Sequence, residues 1–207
     1  IASGNRGKLF EFQEILRGEA FKLLLPSDLG LTLDVKETGR TYAENAALKA
    51  RAYASASGLV TLADDSGLEV DALDGAPGLY SARYSAKPGA DDGDRRAFLL
   101  AELKRRGAER PWVARFHCTA AVGTPAGEVM LAEGGCEGEI IPVERGNNGF
   151  GYDPIFYLPQ YERTMAELPQ ELKNRISHRA LATQAALPLL YRAVGRGSGA
   201  GDLSLPG

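Results

Sequence analysis

Apolar positions recur along the chain with two periods, and the switches between them mark out the elements. Behind a polar loop at Ser3–Lys8, residues Leu9, Phe12, Ile15 and Leu16 fall at helical spacing, and Gly18 stops the run. Phe21–Leu25 is a short apolar run closed by Pro26 and predicts a strand. Thr41-Tyr42-Ala43-Glu44 has the form of a capping box, and the helix it opens runs through Ala46, Lys49 and Ala54 to a glycine stop at Gly58. Leu59–Ala63 predicts a buried strand that ends at Asp64-Asp65-Ser66-Gly67, after which Leu68–Ala72 alternates as a second strand. Asp91–Arg106 predicts an amphipathic helix with Phe98, Leu99 and Leu103 inward. Trp112–Val122 and Glu128–Ala132 predict a hairpin turned at Gly123–Gly127. A second capping box, Thr164-Met165-Ala166-Glu167, opens a helical region that runs to Val194. There is no internal repeat. Strands alternating with helices give the α/β class, a mixed αβ fold.

Composition narrows the picture. Glycine is over-represented, at 25 of 207 residues, and five of the 25 lie in a Gly/Ser-rich tail at 195–207 that reads as flexible. Residues 1–194 read as a single domain with ample material for a core. The formal net charge of −3 argues against bulk nucleic acid as partner, because phosphate-backbone binding shows as a basic excess. No apolar run reaches the ~20 residues of a membrane span. Two cysteines, Cys118 and Cys136, have neither metal-ligand spacing nor a disulfide framework. The chain opens on Ile1 rather than Met and shows no signal-peptide pattern, so a soluble cytoplasmic protein with a few residues missing upstream is expected.

Five clusters carry candidate chemistry. Ser3-Gly4-Asn5-Arg6-Gly7-Lys8 stands where a helix begins: its glycines let amides approach an anion, and Lys8 adds a full charge. Taken alone it reads more readily as an ordinary tight turn. Glu37-Thr38-Gly39 precedes a helix on which Asn45 and Lys49 share one face; Lys49 is either solvated or set against a carboxylate or phosphate cluster. Asp64 and Asp65 adjoin after a buried strand, and adjacent carboxylates raise each other's pKa unless a cation intervenes. Magnesium, which prefers hard oxygen ligands, is the natural partner; the alternative is a solvated Asp-rich turn. In Gly149-Phe150-Gly151-Tyr152-Asp153 the two rings either stack on a flat ligand or plug the core. Lys173 and Ser177-His178-Arg179 combine a helix cap at Ser177 with a planar donor fork at Arg179 suited to carbonyl or phosphate oxygens. His117, between Phe116 and Cys118, reads as a packed histidine.

These clusters occur in a familiar order: SGNRGK at Ser3, ETG at Glu37 with TYAENAALKA from Thr41, ADDSGL at Ala63, GAPGLYSARYS at Gly75, FGYDPIF at Phe150 and ISHRA at Ile176. The chain resembles the inosine triphosphate pyrophosphatase family, the dITP/XTP pyrophosphatases, from Ala2 to about Leu190. The resemblance implies an elongated, two-lobed mixed αβ fold with a central mixed sheet, a cleft between lobes and a homodimer. It implies Mg²⁺-dependent hydrolysis of dITP, ITP and XTP to the monophosphate and pyrophosphate. By that resemblance Asp65 and Lys49 are catalytic, with Asp65 activating the water. Glu37 and Asp65 bind the metal, and Asp64 holds metal-bound water. Lys8, Lys49 and Lys173 clamp phosphate oxygens, helped by Ser3, Gly4, Asn5, Arg6, Gly7 and Ser66. Phe150, Gly151, Tyr152 and Asp153 form the base pocket, and His178 and Arg179 read the purine edge. Rival readings are the Maf-type pyrophosphatases, against which the FGYD and SHR motifs weigh, and a non-catalytic nucleotide-binding module, which would be expected to have lost Asp65, Glu37 or a clamping lysine. Three departures stand out: Ser3 where Thr is commoner, Asn148 where Gly is usual, and Pro188 inside the last helix.

Overall fold

The computed structural model describes residues 1–197, with side chains through residue 195; the tail expected at 195–207 lies outside the described residues from 198 onward, and 195–197 continue the last helix. In chain order the elements are α1 (Arg6–Ile15), α2 (Tyr42–Ser57), β1 (Thr61–Val70), α3 (Asp92–Arg105), β2 (Trp112–Gly123), β3 (Val129–Ile140), β4 (Phe156–Leu158), β5 (Arg163–Thr164), α4 (Gln170–Ile176) and α5 (His178–Gly197). Short 3-10 turns join them. The mixed αβ class holds.

The five strands form one sheet in the order β1-β2-β3-β4-β5, and every neighbouring pair is antiparallel. Among the described residues the expected mixed character is confined to a single parallel bridge, Ala2 to Ala63, because the chain turns into α1 directly after it. β1 to β3 form a long ribbon of 10 to 12 residues per strand, roughly 40 Å at the usual rise. A ribbon that long carries separate cores at its two ends. At one end Ala46 and Ala50 of α2 pack on Ala63 and Ala121, while on the opposite face α1 and α5 bring Phe12, Leu16, Ala182 and Ala186 against Leu62, Cys118 and Ala120. At the other end Leu99 and Leu103 of α3 join Leu68, Val70, Trp112, Phe116 and Phe156.

The caps behave as the sequence demands. Thr41 Oγ1 accepts from Glu44 N at 3.1 Å, and Gly58 takes the left-handed conformation that ends α2. Glu44 returns its bond to Arg40 N, one residue earlier than the usual box. Asp91 caps α3 with Asp94 reciprocating. The Thr164–Glu167 box is real but opens only a 3-10 turn, since Pro169 follows and delays α4.

Four expectations are corrected. Phe21–Leu25 forms no strand: Phe21 and Leu23 are apolar because they pack against the α1–α5 core, and pairing is limited to Ile1 N donating to Leu24 O. Asp64-Asp65-Ser66-Gly67 is no strand end but the middle of an unbroken β1, paired with Ala120, Thr119, Cys118 and His117. β3 continues eight residues beyond Ala132, through three glycines. The C-terminal helical region breaks at Ser177, while Pro188 leaves α5 unbroken. Pro188 and Gln184, whose carbonyl loses its usual donor, are both exposed, so water can serve that carbonyl.

Candidate active site

The fold gathers the polar motifs around a cavity of about 380 Å³, within the usual range for small-molecule sites. Its first wall starts where Ala2 docks on β1, with Ala2 N donating to Leu62 O at 2.8 Å. Ser3 and Asn5 then shape the turn into α1: Asn5 N donates to Ser3 Oγ, and Asn5 Oδ1 accepts from Lys8 N at 3.1 Å as the helix cap. Ser3, Gly4, Asn5 and Lys8 line the cavity. Arg6 is exposed and Gly7 lies beneath the ring of Phe150, where a Cβ would sit 2.6 Å from Cδ1; neither lines the cavity.

The two aspartates point to opposite faces of β1, because successive strand residues alternate. Asp65 faces α2. Its Oδ2 accepts from Asn45 Nδ2 at 3.1 Å, and Lys49 Nζ lies 3.6 Å from its Oδ1 and 2.5 Å from Glu37 Oε1. Asn45 also accepts from Gly39 N at 2.8 Å, which pins the Glu37–Gly39 segment onto α2. Gly39 is needed there: a Cβ would sit 2.6 Å from Glu44 Cβ. Burial pushes the Asp65 carboxyl above its ordinary pKa, with the charge of Glu37 adding to the rise, in spite of Lys49 and Lys8. Burial works against the charge on Lys49, but Asp65, Asp64 and Glu37 outweigh it and raise the lysine.

Asp64 faces α1 and α5 and lies outside the cavity lining. Its Oδ2 takes Lys8 Nζ at 3.0 Å and Arg179 Nε at 3.2 Å, while Oδ1 is buried and unpartnered. Burial raises this carboxyl too, yet Lys8 and Arg179 more than reverse it and hold Asp64 well below the usual carboxylate range. Arg179 spends one N–H on Asp64, one on Glu11 and one on Ser66 Oγ at 2.9 Å. Glu11 is the residue that sequence reasoning missed. It is buried in the middle of a chain of charges, between Arg179 and Lys173, whose Nζ sits 2.7 Å from Glu11 Oε1 and 2.6 Å from Asp153 Oδ2. The available signal was its position on α1: Glu11 shares the helix face of Lys8 and Ile15, a charge placed among inward residues.

The aromatic loop divides its two rings between the two readings. Phe150 lies at the cavity, with Lys173 Nζ 5.5 Å and Arg179 Cζ 5.6 Å from its ring centroid. The Tyr152 ring is packed in the core beneath, its hydroxyl donating to Ser81 O at 2.9 Å. Asp153 Oδ2 accepts from Phe150 N and from Lys173, so it braces the loop. Gly149 makes this possible: its φ is +76° and a Cβ would fall 2.0 Å from Asp153 Oδ2. Asn148, the departure from Gly, is a tie to the segment beyond β5, with Nδ2 donating to Leu168 O at 3.0 Å.

Ser177 caps α5 as expected, its Oγ accepting from Ala180 N. His178 stacks on Phe116 at 4.5 Å, and its Nδ1 is buried without a partner. Burial, reinforced by Arg179 and Lys173, lowers this imidazole well below its ordinary pKa and keeps it neutral. His117 stacks on Tyr42, a packed histidine. Both cysteines are free thiols, and burial raises them. Thus every residue singled out for the site lines the cavity except Arg6, Gly7 and Asp64. Among the described residues no three acids, histidines or cysteines converge as a metal cage, and no helix is long and apolar enough to cross a membrane.

Known proteins share this chain's sequence over most of its length. The dITP/XTP pyrophosphatase of Desulforamulus reducens is 45% identical over 192 residues, 93% of this chain and 94% of that protein. The dITP/XTP pyrophosphatase of Nostoc sp. is 48% identical over 190 residues, 91% of each. Among solved structures, a HAM1 protein from Coxiella burnetii superposes with a TM-score of 0.82 at 43% identity, covering 93% of this chain and 97% of its own. The Ham1 family model matches residues 1–189. The chain belongs to the Ham1 family.

Proposed function

We propose that this cleft hydrolyses the α–β phosphoanhydride bond of non-canonical purine nucleoside triphosphates (dITP, ITP and XTP), releasing the monophosphate and pyrophosphate. The observation that carries the reading is Asp65, a carboxylate raised by burial, facing the cavity between Lys49 and Asn45 with Glu37 alongside. A cavity-facing carboxylate whose proton affinity is raised by burial is suited to take a proton from water. The names of the relatives support the substrate class.

Glu37 and Asp65 fit a Mg²⁺ ion, because two hard carboxylate donors beside an open cavity match a cation that keeps water and takes its other ligands from phosphate. When bound, the metal neutralises phosphate charge and polarises the phosphorus under attack. Asp64 points away from this pair, and we assign it to holding Lys8 and Arg179 in place. Lys8 and the amides at the start of α1 hold phosphate oxygens, with Lys49 beside the reacting bond. Asp65 accepts the proton of the attacking water as the new P–O bond forms and pyrophosphate departs. Phe150 stacks on the base. Arg179 keeps two of its five N–H groups for the carbonyl at purine position 6. Adenine offers an amino donor there, so a buried cation faces a donor and adenine is rejected. A cytoplasmic homodimer follows from the family resemblance, and the buried reduced thiols accord with that compartment.

The test is product identity. With dITP and Mg²⁺ the enzyme is expected to yield dIMP and pyrophosphate in equal amounts; dIDP with orthophosphate would contradict the reading. Asp65→Asn is expected to lower kcat about 10²–10⁴-fold, the range for losing a general base, with an unchanged circular dichroism spectrum. Retained turnover would remove Asp65 from the chemistry.

A further inference from the structure

The GAPGLYSARYS motif supplies a separate wall of the cavity through its 3-10 segment Gly78–Arg83. That segment is firmly placed. Ser81 Oγ accepts from Leu68 N of β1 at 2.9 Å and donates to Gly78 O at 2.6 Å, while Ser81 O accepts from Tyr152 beneath the aromatic loop. Its last residue, Arg83, is exposed and lines the cavity.

A triphosphate brings several negative charges into a cleft whose cations are already matched. Lys8 is paired with Asp64, Lys49 with Glu37, Lys173 with Glu11 and Asp153, and Arg179 with Glu11 and Asp64. Arg95, which also lines the cavity, is paired with Asp92. With Asp65 counted, the floor's acids outnumber its bases. Among the described residues Arg83 is the one cation lining the cavity without an acidic partner. Its guanidinium rests 4.9 Å over the ring of Tyr80, a contact that leaves its N–H groups free.

We infer that Arg83 is a substrate-binding residue, supplying from this wall the uncommitted positive charge that the nucleotide's polyphosphate chain requires. The inference rests on the proposed pyrophosphatase reading and adds to it a residue outside the phosphate loop and the SHR motif. A guanidinium suits the task, since it stays charged and presents a planar donor fork to phosphate oxygens.

The experiment compares Arg83→Ala and Arg83→Lys with wild type for dITP turnover and for inhibition by each product. Arg83→Ala is expected to raise the KM for dITP and the inhibition constant of pyrophosphate about tenfold or more, the scale of a lost charge-assisted hydrogen bond. The inhibition constant of dIMP, which has no polyphosphate, is expected to change less than about twofold, and the melting temperature is expected to stay that of wild type because the position is exposed. Arg83→Lys is expected to recover part of the KM. An unchanged KM in an active enzyme overturns this inference alone, and so does an equal weakening of dIMP, which would mark Arg83 as merely structural. A wild-type enzyme inert on dITP overturns the pyrophosphatase reading, and this inference with it.

Discussion

Two neighbouring aspartates end in opposite electrostatic states because β1 sends them to opposite faces. Asp65 looks into the cavity with its proton affinity raised, while Asp64 looks into a buried ion network and stays ionised. That network has a second carboxylate of the same kind in Glu11. Burial alone would raise Glu11, yet Arg179 and Lys173 outweigh it and hold the carboxyl below its ordinary value of 4.5. A depressed carboxylate stabilises the fold fully above the unfolded-state value and loses that contribution as pH falls below it. Glu11→Gln is therefore expected to cost about 3 kcal/mol at neutral pH, the lower end for breaking a buried pair, and the gap to wild type is expected to shrink below about pH 4.5. Urea denaturation of both proteins at neutral and acid pH measures this; a gap independent of pH would contradict it. Lys8, Lys49, Asp65 and Arg179 are legible in the sequence because each sits in a motif of characteristic spacing, and Lys173 because it stands just ahead of the ISHRA motif. Glu11 sits in no motif, and Arg83 sits inside GAPGLYSARYS without an assigned role, since a lone charge acquires its meaning only from what the fold sets beside it.

At the level of elements, glycine was the main source of misreading. It breaks strands in an isolated chain, so β3 was expected to stop at Ala132, and the polar Asp64–Gly67 run was expected to end β1. In the folded protein Gly134 serves close packing: a Cβ there would lie 2.3 Å from Ala182 N and 2.4 Å from His178 O. The first turn of α5, which carries His178 and Arg179, rests directly on bare strand backbone. Gly134→Ala is expected to destabilise by about 1–3 kcal/mol through overpacking, and to raise the KM for dITP because that turn must move outward. A stable variant with unaltered KM would show that α5 is not seated this way. The helices are more legible, because α2 announces both ends with a cap and a glycine stop and α3 shows an amphipathic period, whereas the apolar run Phe21–Leu25 gives no sign that it packs on helices instead of pairing.

Across the whole molecule, one long antiparallel ribbon reaches two cores, and the cavity collects side chains from α1, α2, β1, the Gly78–Arg83 segment, the Phe150 loop and α5. No single element owns the site. Its floor keeps cations and carboxylates in near balance, so in the proposed reading net attraction for a polyphosphate would come from a metal held by Glu37 and Asp65 and from Arg83. We propose that base selection rests on Arg179, which is fixed by three acceptors, and on Phe150, whose ring centroid lies 5.6 Å from its guanidinium carbon. The central claim is that this cleft cleaves non-canonical purine triphosphates in preference to standard ones, and kcat/KM across a nucleotide panel, read by pyrophosphate release with Mg²⁺ present, tests it most directly. dITP, ITP and XTP are expected to exceed dATP and dGTP by about 10² or more, the margin available when a site's buried polar group is left unpaired by the wrong base; equal values across the panel would contradict it.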